Sequence, residues 1–575
     1  MVRIRRIEIS NFRSIQFLDW VPSAGVNCLI GPGDSGKSTI LDAIDLCLGA
    51  RRSAPFGDTD FFRLDVINPI VISLTLGHLP DALKNLEIYG EFLRGFDAST
   101  RSFEDEPRSS IETVLTLRLS VSSDLEPVWA LFSERAAAAG IERSLAWKDR
   151  TAVAPARIGS YTNTNLSWTR GSVLNRLTEE KANLGAELAK AARGARTSFG
   201  TQAATQLGAS LKVVTDTANE LGVPVGSSAQ ALLDAHSVSI GDGAIALHSE
   251  AGVPLRSLGT GSSRLLIAGL QRAAAEAATI ALVDEVEYGL EPHRLTRLLH
   301  SLGAKDQKLP LQVFMTTHSP VAIRELAGNQ VFVVRAVAGQ HCVLEVGVAD
   351  DVQSTVRADP EAFLAKSVVV CEGASEVGFG RGLDQHWVNQ GQQSFFALGG
   401  AYVDVGGSDP DRVYVRGTAL LRLGYRVLVL ADADKPPKQE VVAMFVAAGG
   451  ESLTWRPDRA LEDELFMSLS DDAVESLLQR AVDLVDEELV NSHIQSQSNG
   501  KFKLATILDE GRVFGFSSEV RQILGLASRK RGSGWFKSVT KFEGIAADIV
   551  GPNLAAADKG FVELVDSLKR WTHAT

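Results

Sequence analysis

The 575-residue chain sets 70 acidic side chains against 58 lysines and arginines, a formal net charge of −12, and 45% of its residues are hydrophobic. At about 100–200 residues per domain this length holds two to four domains, and so balanced a composition excludes a fibrous or mostly disordered protein. No run reaches the roughly 18 apolar residues of a membrane span, and an acidic chain does not coat nucleic acid by charge alone, although clustered carboxylates beside a local basic strip suit a nuclease.

In chain order, Val2 to Ile9 alternates apolar and polar residues as a half-buried strand, unlike the continuous apolar stretch of a signal peptide. Val26 to Ile30 reads as a short buried strand running into Gly31-Pro-Gly-Asp-Ser-Gly-Lys-Ser38, and Ser38 to Leu48 has helical spacing. A strand, the pattern G-x-x-x-x-G-K-[ST] and a helix in that order are the context of a phosphate-binding loop. Glycines let backbone N–H groups curl around phosphates, Lys37 reaches the β/γ-phosphates, and Ser38 binds Mg²⁺ at the helix N-terminus. Gly31, Gly33, Ser35, Gly36, Lys37, Ser38 and Thr39 are therefore the candidate ATP contacts.

Strand-like runs follow at Ile70 to Leu76 and Thr113 to Val121, separated by a loop-rich segment around Phe96 to Ser110. Residues of about 170–222 are rich in Ala, Leu, Glu, Lys and Arg and read as a helical insertion, too short and Gly-punctuated for a long coiled coil. Ile280 to Val283 is a buried strand ending in Asp284, placed to assist Mg²⁺, and Glu285, placed to orient or activate the attacking water. Gln312 to Met315 leads to His318, in position to sense the γ-phosphate. Val331 to Val334 and Cys342 to Val346 read as a hairpin closing a first domain over residues 1–350, with the polar stretch Ala349 to Pro360 as the boundary. A second α/β rhythm, at Ser367 to Cys371 and Val427 to Leu430, opens a second domain over residues 361–575, with helical elements at its end. The four cysteines, Cys28, Cys47, Cys342 and Cys371, are scattered, so neither a disulfide framework nor a Cys-rich zinc site is expected, and the reducing cytoplasm is the natural compartment.

The second domain carries its own constellation. Glu372-Gly373 ends one buried strand with Glu376 a helical turn later, and Asp432 and Asp434 end another. Residues two apart on a strand share a face, so both aspartates can point at one cation with Glu372 at a neighbouring strand end. Clustered carboxylates repel unless a cation compensates, and hard oxygen ligands select Mg²⁺ or Mn²⁺.

The segments of the first domain together resemble the ATP-binding-cassette superfamily, in the branch of the SMC, Rad50 and RecF-like ATPases, over roughly Met1 to Gly347. The place of the family's signature loop is taken by Ser257-Leu-Gly-Thr-Gly-Ser-Ser-Arg264, with Gly261 in its turn but without the final Gln of LSGGQ. Glu287 and Gly289-Leu-Glu-Pro-His293 resemble the segment that meets its counterpart across the family's dimer. The resemblance implies ATP held between two subunits of a homodimer, with the insertion adding dimer contacts. Glu-Gly followed by Asp-x-Asp resembles the Toprim fold, and the succession of both modules resembles the OLD (overcoming lysogenization defect) nucleases, which include the Gabija ATPase-nuclease subunit.

That resemblance implies an α/β protein, an ABC-type P-loop ATPase domain followed by a Toprim domain, acting as an ATP-regulated, divalent-metal-dependent DNA endonuclease in anti-phage defence. Two Mg²⁺ or Mn²⁺ ions would be held by Glu372, Glu376, Asp432 and Asp434, with Glu462 as a further ligand that spacing alone does not separate from Asp463 and Glu464. Cleavage would rest on Glu372, Asp432, Asp434 and a lysine, Lys537 beside Trp535 and Phe536 or else Lys541, and ATP turnover on Glu285. The implied partners are DNA, ATP, a second copy of the chain and a UvrD-type helicase. The alternative is a Rad50/RecF-like DNA-binding clamp or repair ATPase with a non-catalytic Toprim module. A topoisomerase fits poorly, because Tyr402, Tyr414 and Tyr425 all fall within the second domain and no separate tyrosine domain is apparent.

Overall fold

The computed structural model describes residues 2–158, 166, 174, 185–221, 223–231, 247–273, 279–307, 309–337, 340–407 and 409–574. The strands of its first sheet are β1 (Arg3–Phe12), β2 (Ile15–Trp20), β3 (Val26–Ile30), β4 (Ile70–Gly77), β5 (Leu93–Asp97), β6 (Ser102–Glu104), β7 (Glu112–Val121), β8 (Pro127–Phe132), β9 (Ala156–Ile158), β10 (Ile280–Val283), β11 (Gln312–Thr316), β12 (Val331–Val337) and β13 (Gln340–Glu345). They lie in the order β6-β5-β7-β4-β1-β2-β13-β12-β3-β11-β10-β9, with β8 paired to β7.

Two kinds of sheet are fused here. From β12 to β9 all neighbours run parallel, and β3, β10 and β11 are buried along their whole length, which is why they read as unbroken apolar runs. From β6 to β2 the neighbours are antiparallel, and Ile4, Ile7 and Ile9 of β1 enter the core while Arg6 pairs with Asp19 outside. The β12–β13 hairpin forms as expected but does not close an edge: β12 pairs with β3 and β13 with β2, so it welds the two halves together. Trp20 holds this seam, edge-on to Phe314 at 5.8 Å and to Phe332 at 5.5 Å.

The segment expected as loop around Phe96 to Ser110 contains the end of β5 and all of β6. Their pairing sets Phe96 against Phe103, with ring centroids 4.8 Å apart, and three residues of strand are too few for periodicity to reveal. Two helices, Gly185–Gln206 and Gly208–Glu220, stand in the expected insertion, the rest of which lies outside the described residues apart from Leu174, Leu207 and Leu221.

The polar stretch between the modules is a helix, Asp350–Ala358, followed by the turn Pro360–Leu364. Val352, Val356 and Phe363 sink into one apolar cluster shared by Ile323 and Val333 before it and by Val368 and Val413 after it. Arg335 of β12 also lies over the Tyr425 ring at 3.9 Å, so the modules are packed together rather than strung on a linker.

The second sheet, β14 (Ser367–Cys371), β15 (Gly400–Asp404), β16 (Arg426–Ala431) and β17 (Glu451–Thr454), is parallel throughout, in the order β15-β14-β16-β17. This order makes the chain leave β14 to one side and return on the other, which opens a crevice at the carboxyl ends of β14 and β16. Helices from Leu461 to His573 complete the domain around the fully buried Trp535 and Phe536. Among the described residues, no helix is long and apolar enough to cross a membrane, and all four cysteines are free.

Candidate functional site

The loop after β3 bends where its glycines allow. Gly31 has φ +139°, and a Cβ there would come within 2.7 Å of the Val334 carbonyl of the welded hairpin. Gly36, at φ +86°, caps the helix Lys37–Leu48 in a left-handed conformation that favours glycine. Gly33, Ser35, Gly36, Lys37, Ser38 and Thr39 line a cavity of about 420 Å³ together with His318. Lys37 folds back over the loop, its Nζ donating to the carbonyls of Gly31 at 3.1 Å and Pro32 at 2.8 Å. Burial lowers its ammonium below the ordinary value while Asp34 and Asp284 pull it back, so it is a cation short of anions. A phosphate would offer this lysine the negative charge that its present neutral acceptors do not.

Asp284 reaches the loop directly. Its Oδ1 accepts from the Ser38 hydroxyl at 3.0 Å and from the Thr316 hydroxyl at 2.6 Å, bringing together the two oxygens expected to hold Mg²⁺. Glu285 follows with φ +45°, a left-handed conformation unusual for a glutamate, and its N–H donates to the Thr316 hydroxyl at 2.8 Å. Glu287 accepts from the Thr317 hydroxyl at 2.6 Å and from the His318 N–H at 2.7 Å, which fixes the loop that presents His318.

Gly261 does not line the cavity of its own chain; it is pressed against the Gly289 carbonyl, 2.5 Å from where its Cβ would stand. Three residues on, Arg264 in the helix Thr260–Ala273 has no exposed surface. It donates to the carbonyls of Asp284 at 3.0 Å, Glu285 at 3.0 Å and Tyr288 at 2.9 Å, tying the signature-like helix to the acidic loop of the same chain.

At the β14/β16 crevice a second cavity, of about 650 Å³, is lined by Glu372, Glu376, Asp432, Asp434 and Glu462, with Arg529, Arg531 and Lys537 facing them. Three of the acids are held by backbone N–H groups. Glu372 Oε2 accepts from the Asp432 N–H at 3.1 Å across the two strand ends. Glu376 Oε2 accepts from the Gly373 N–H at 2.9 Å, and Asp432 Oδ1 from the Leu461 N–H at 3.0 Å. Burial, and next the neighbouring charges of Asp432 and Glu462, push Glu376 far above the usual carboxylate range. Asp432 rises likewise, through burial and then Glu462 and Glu372, and burial raises Glu372 and Glu462 too.

The three contiguous acids are sorted by the fold. Glu462 faces the cavity, and its Oε1 has no hydrogen-bond partner although the residue is only 4% exposed. Asp463 turns to the Ala460 N–H, and Glu464 is consumed by Arg456, Arg459 and Ser468. Lys537 lines the cavity, whereas Lys541 donates to the Trp535 carbonyl at 3.2 Å. The acids therefore converge on one space, yet among the described residues no three are spaced as a ready cage for an ion. The donor set fits a hard divalent cation all the same: all its members are carboxylates, they repel one another, and one buried oxygen lacks a donor.

With both sites located, comparison with known proteins places the chain. The profile of a protein family described as AAA domain, putative AbiEii toxin, Type IV TA system matches residues 26–324, from β3 through the phosphate loop, Asp284, Glu285 and His318. The chain belongs to this family. It is accordingly an AAA/ABC-type ATPase, with ATP and Mg²⁺ as its nucleotide and ion. A stretch of 46 residues is 46% identical to the DNA replication and repair protein RecF of Prosthecochloris aestuarii, covering 8% of this chain and 12% of that protein's length. Similar solved structures include the Smc head domain with an extended coiled coil bound to the C-terminal domain of ScpA from Pyrococcus furiosus, at 14% identity over 60% of this chain and 96% of that one, with a TM-score of 0.31. The SMC head domain from Thermotoga maritima is 15% identical over 60% of this chain and 100% of that one, at a TM-score of 0.29. The recombination mediator protein RecF-ATPrS of the RecFOR pathway is 12% identical over 60% and 98%, at 0.30.

Several site residues had no sequence signal. Arg13 and Ser14, at the β1–β2 turn, line the nucleotide cavity, and the Ser14 hydroxyl lies 3.2 Å from that of Thr39. Arg13 is held by Asp42 at 2.6 Å and Asp60 at 2.8 Å. Asp404 and Lys435 join the acidic cavity, the former from a strand too weakly patterned to be foreseen. Arg264 stood inside a segment singled out for another reason, and only the fold shows what it and Arg529 touch.

Proposed function

We propose that this ATPase acts on DNA, and that its second domain is a phosphodiester hydrolase dependent on Mg²⁺ or Mn²⁺ and regulated by the ATPase module. The observation that carries this reading is the crevice at β14 and β16, where six acids, Asp404 among them, line one cavity opposite Arg529, Arg531 and Lys537. Glu372, Glu376, Asp432, Asp434 and Glu462 are the residues that would hold the cations. Divalent ions bound there supply charge neutralisation and a water of lowered pKa. Lys537, on a segment anchored by two buried aromatic rings, offers its ammonium to the phosphate as negative charge builds up, while Arg531 orients the backbone.

The same reading gives the nucleotide a switching role. Two copies of the chain would complete each ATP site, and closure of that dimer would restrain or release cleavage. Anti-phage defence, with a UvrD-type helicase as companion, is the biological setting that follows from the OLD-like order of the two modules.

A second reading is an ATP-dependent DNA-binding ATPase in the manner of RecF and the SMC heads, with a non-catalytic second domain. The family match favours it, since all of the matched region lies before residue 325. Plasmid cleavage with Mg²⁺ or Mn²⁺, with and without ATP, separates the two. Cleavage by the parent that Glu372→Ala abolishes and Lys37→Ala leaves insensitive to ATP supports the first reading. Equal nicking by the parent and Glu372→Ala refutes it.

A further inference from the structure

Of the basic residues at the acidic cavity, Arg529 differs from Arg531 and Lys537 in being already engaged with the acids. Its Nη1 donates to Asp434 Oδ2 at 2.9 Å, and its Nε lies 3.1 Å from Asp463 Oδ2. It occupies the end of the helix Ser518–Ser528, where its N–H donates to the Gly525 carbonyl at 3.3 Å. That helix comes so close to Leu461–Ser468 that a Cβ at Gly525 would stand 2.6 Å from Asp463 Oδ1. The backbone root of Arg529 is thus fixed, and Asp463 faces the guanidinium from the helix that also carries Glu462.

The charges are shared unevenly. Asp434 has its counter-ion, whereas Glu462 Oε1 is buried in the same cavity with no partner. A cation entering to satisfy Glu462 competes with Arg529 for Asp434 Oδ2. Once released, the guanidinium keeps Asp463 and has free N–H donors directed at the cavity, and a planar fork of donors matches two phosphate oxygens.

We propose that Arg529 is an exchangeable counter-ion, which holds Asp434 while the cavity is free of metal and passes to the DNA phosphodiester when a divalent cation takes that aspartate. The inference rests on the hydrolase reading of the cavity. Cation and DNA then reinforce each other's binding through one side chain, and by linkage the reinforcement is equal in both directions.

The test is Mn²⁺ binding to the full chain without nucleotide, followed by the resonance of free Mn²⁺, with and without a short phosphorothioate duplex. The parent should bind Mn²⁺ on the order of tenfold more tightly with the duplex than without, the effect of one close charge contact made or lost. Arg529→Gln should bind Mn²⁺ alone more tightly than the parent, again on the order of tenfold, and lose the response to DNA. Arg529→Lys, which keeps the charge without the fork, should retain less than a third of the parent's response. It also serves as the readout if Arg529→Gln fails to fold. A parent-like response to DNA in Arg529→Lys, or Mn²⁺ binding by Arg529→Gln no tighter than the parent's, overturns the proposal. Mn²⁺ uptake that is unchanged by Asp432→Ala overturns instead the hydrolase reading beneath it.

Discussion

Replacing Arg264 tests whether the signature-like helix governs ATP turnover within its own subunit. Arg264→Met keeps most of the side-chain length and removes three hydrogen bonds, to the carbonyls of Asp284, Glu285 and Tyr288. Hydrogen bonds to a charged group contribute about 1.5–3 kcal/mol each. The three are not independent, because all end on one guanidinium, and freed carbonyls at the exposed end of the loop regain water. The loss is therefore expected below the sum of three such bonds, near ~3–5 kcal/mol. The segment it frees bears both Asp284 and the left-handed Glu285, whereas the Lys37 loop is untouched. Phosphate release from ATP should fall by at least about 10²-fold, the scale of a misplaced acid–base group, while binding of a fluorescent ATP analogue changes only a few-fold. Arg264→Lys should be intermediate, since one ammonium cannot span three carbonyls in the plane of a guanidinium. Wild-type turnover together with wild-type thermal unfolding in Arg264→Met would refute the reasoning.

Glu285→Gln should retain ATP and lower its hydrolysis by about 10²–10⁴-fold; quench-flow measurement finding a normal chemical step would remove Glu285 from that role. Burial and neighbouring acids raise Glu376 and Asp432 above their ordinary values of 4.5 and 3.8. A raised folded-state pKa stabilises fully below the unfolded value and is lost as pH rises through the folded one. The Tm of the cation-free protein should consequently fall as pH rises above the ordinary carboxylate range, in the direction set by these raised groups. Because cations bind ionised carboxylates, the stabilisation by Mg²⁺ should grow over the same rise, and equal pH slopes in EDTA and Mg²⁺ would contradict this. A Cβ at Gly378 would stand 2.3 Å from the Val539 carbonyl, where the helix bearing Glu376 meets the helix bearing Lys541. Gly378→Ala should therefore cost ~1–3 kcal/mol in denaturant unfolding and reduce Mn²⁺ uptake; an unchanged midpoint would show that these helices separate freely.

Local chemistry was legible in the chain wherever a few contiguous residues suffice for it. Fully buried parallel strands are unbroken apolar runs, so β3, β10 and β14 could be placed to the residue, and the acids or glycines that end them mark the two sites. What lay beyond reach was every relation that depends on which strand adjoins which. Only the insertion of the β12–β13 hairpin between β2 and β3 unites the two halves of the first sheet, and only the order β15-β14-β16-β17 makes Glu372 and Asp432 neighbours. The identity of the outward acid in Glu462-Asp463-Glu464 followed from the direction of one helix, because adjacent helical residues point about 100° apart and spacing cannot say which of them meets the cavity. Arg264 and Arg529 show the same limit: a charged residue in a sequence is most often solvated, and only a tertiary fold that removes the water assigns it to three carbonyls or to two aspartates.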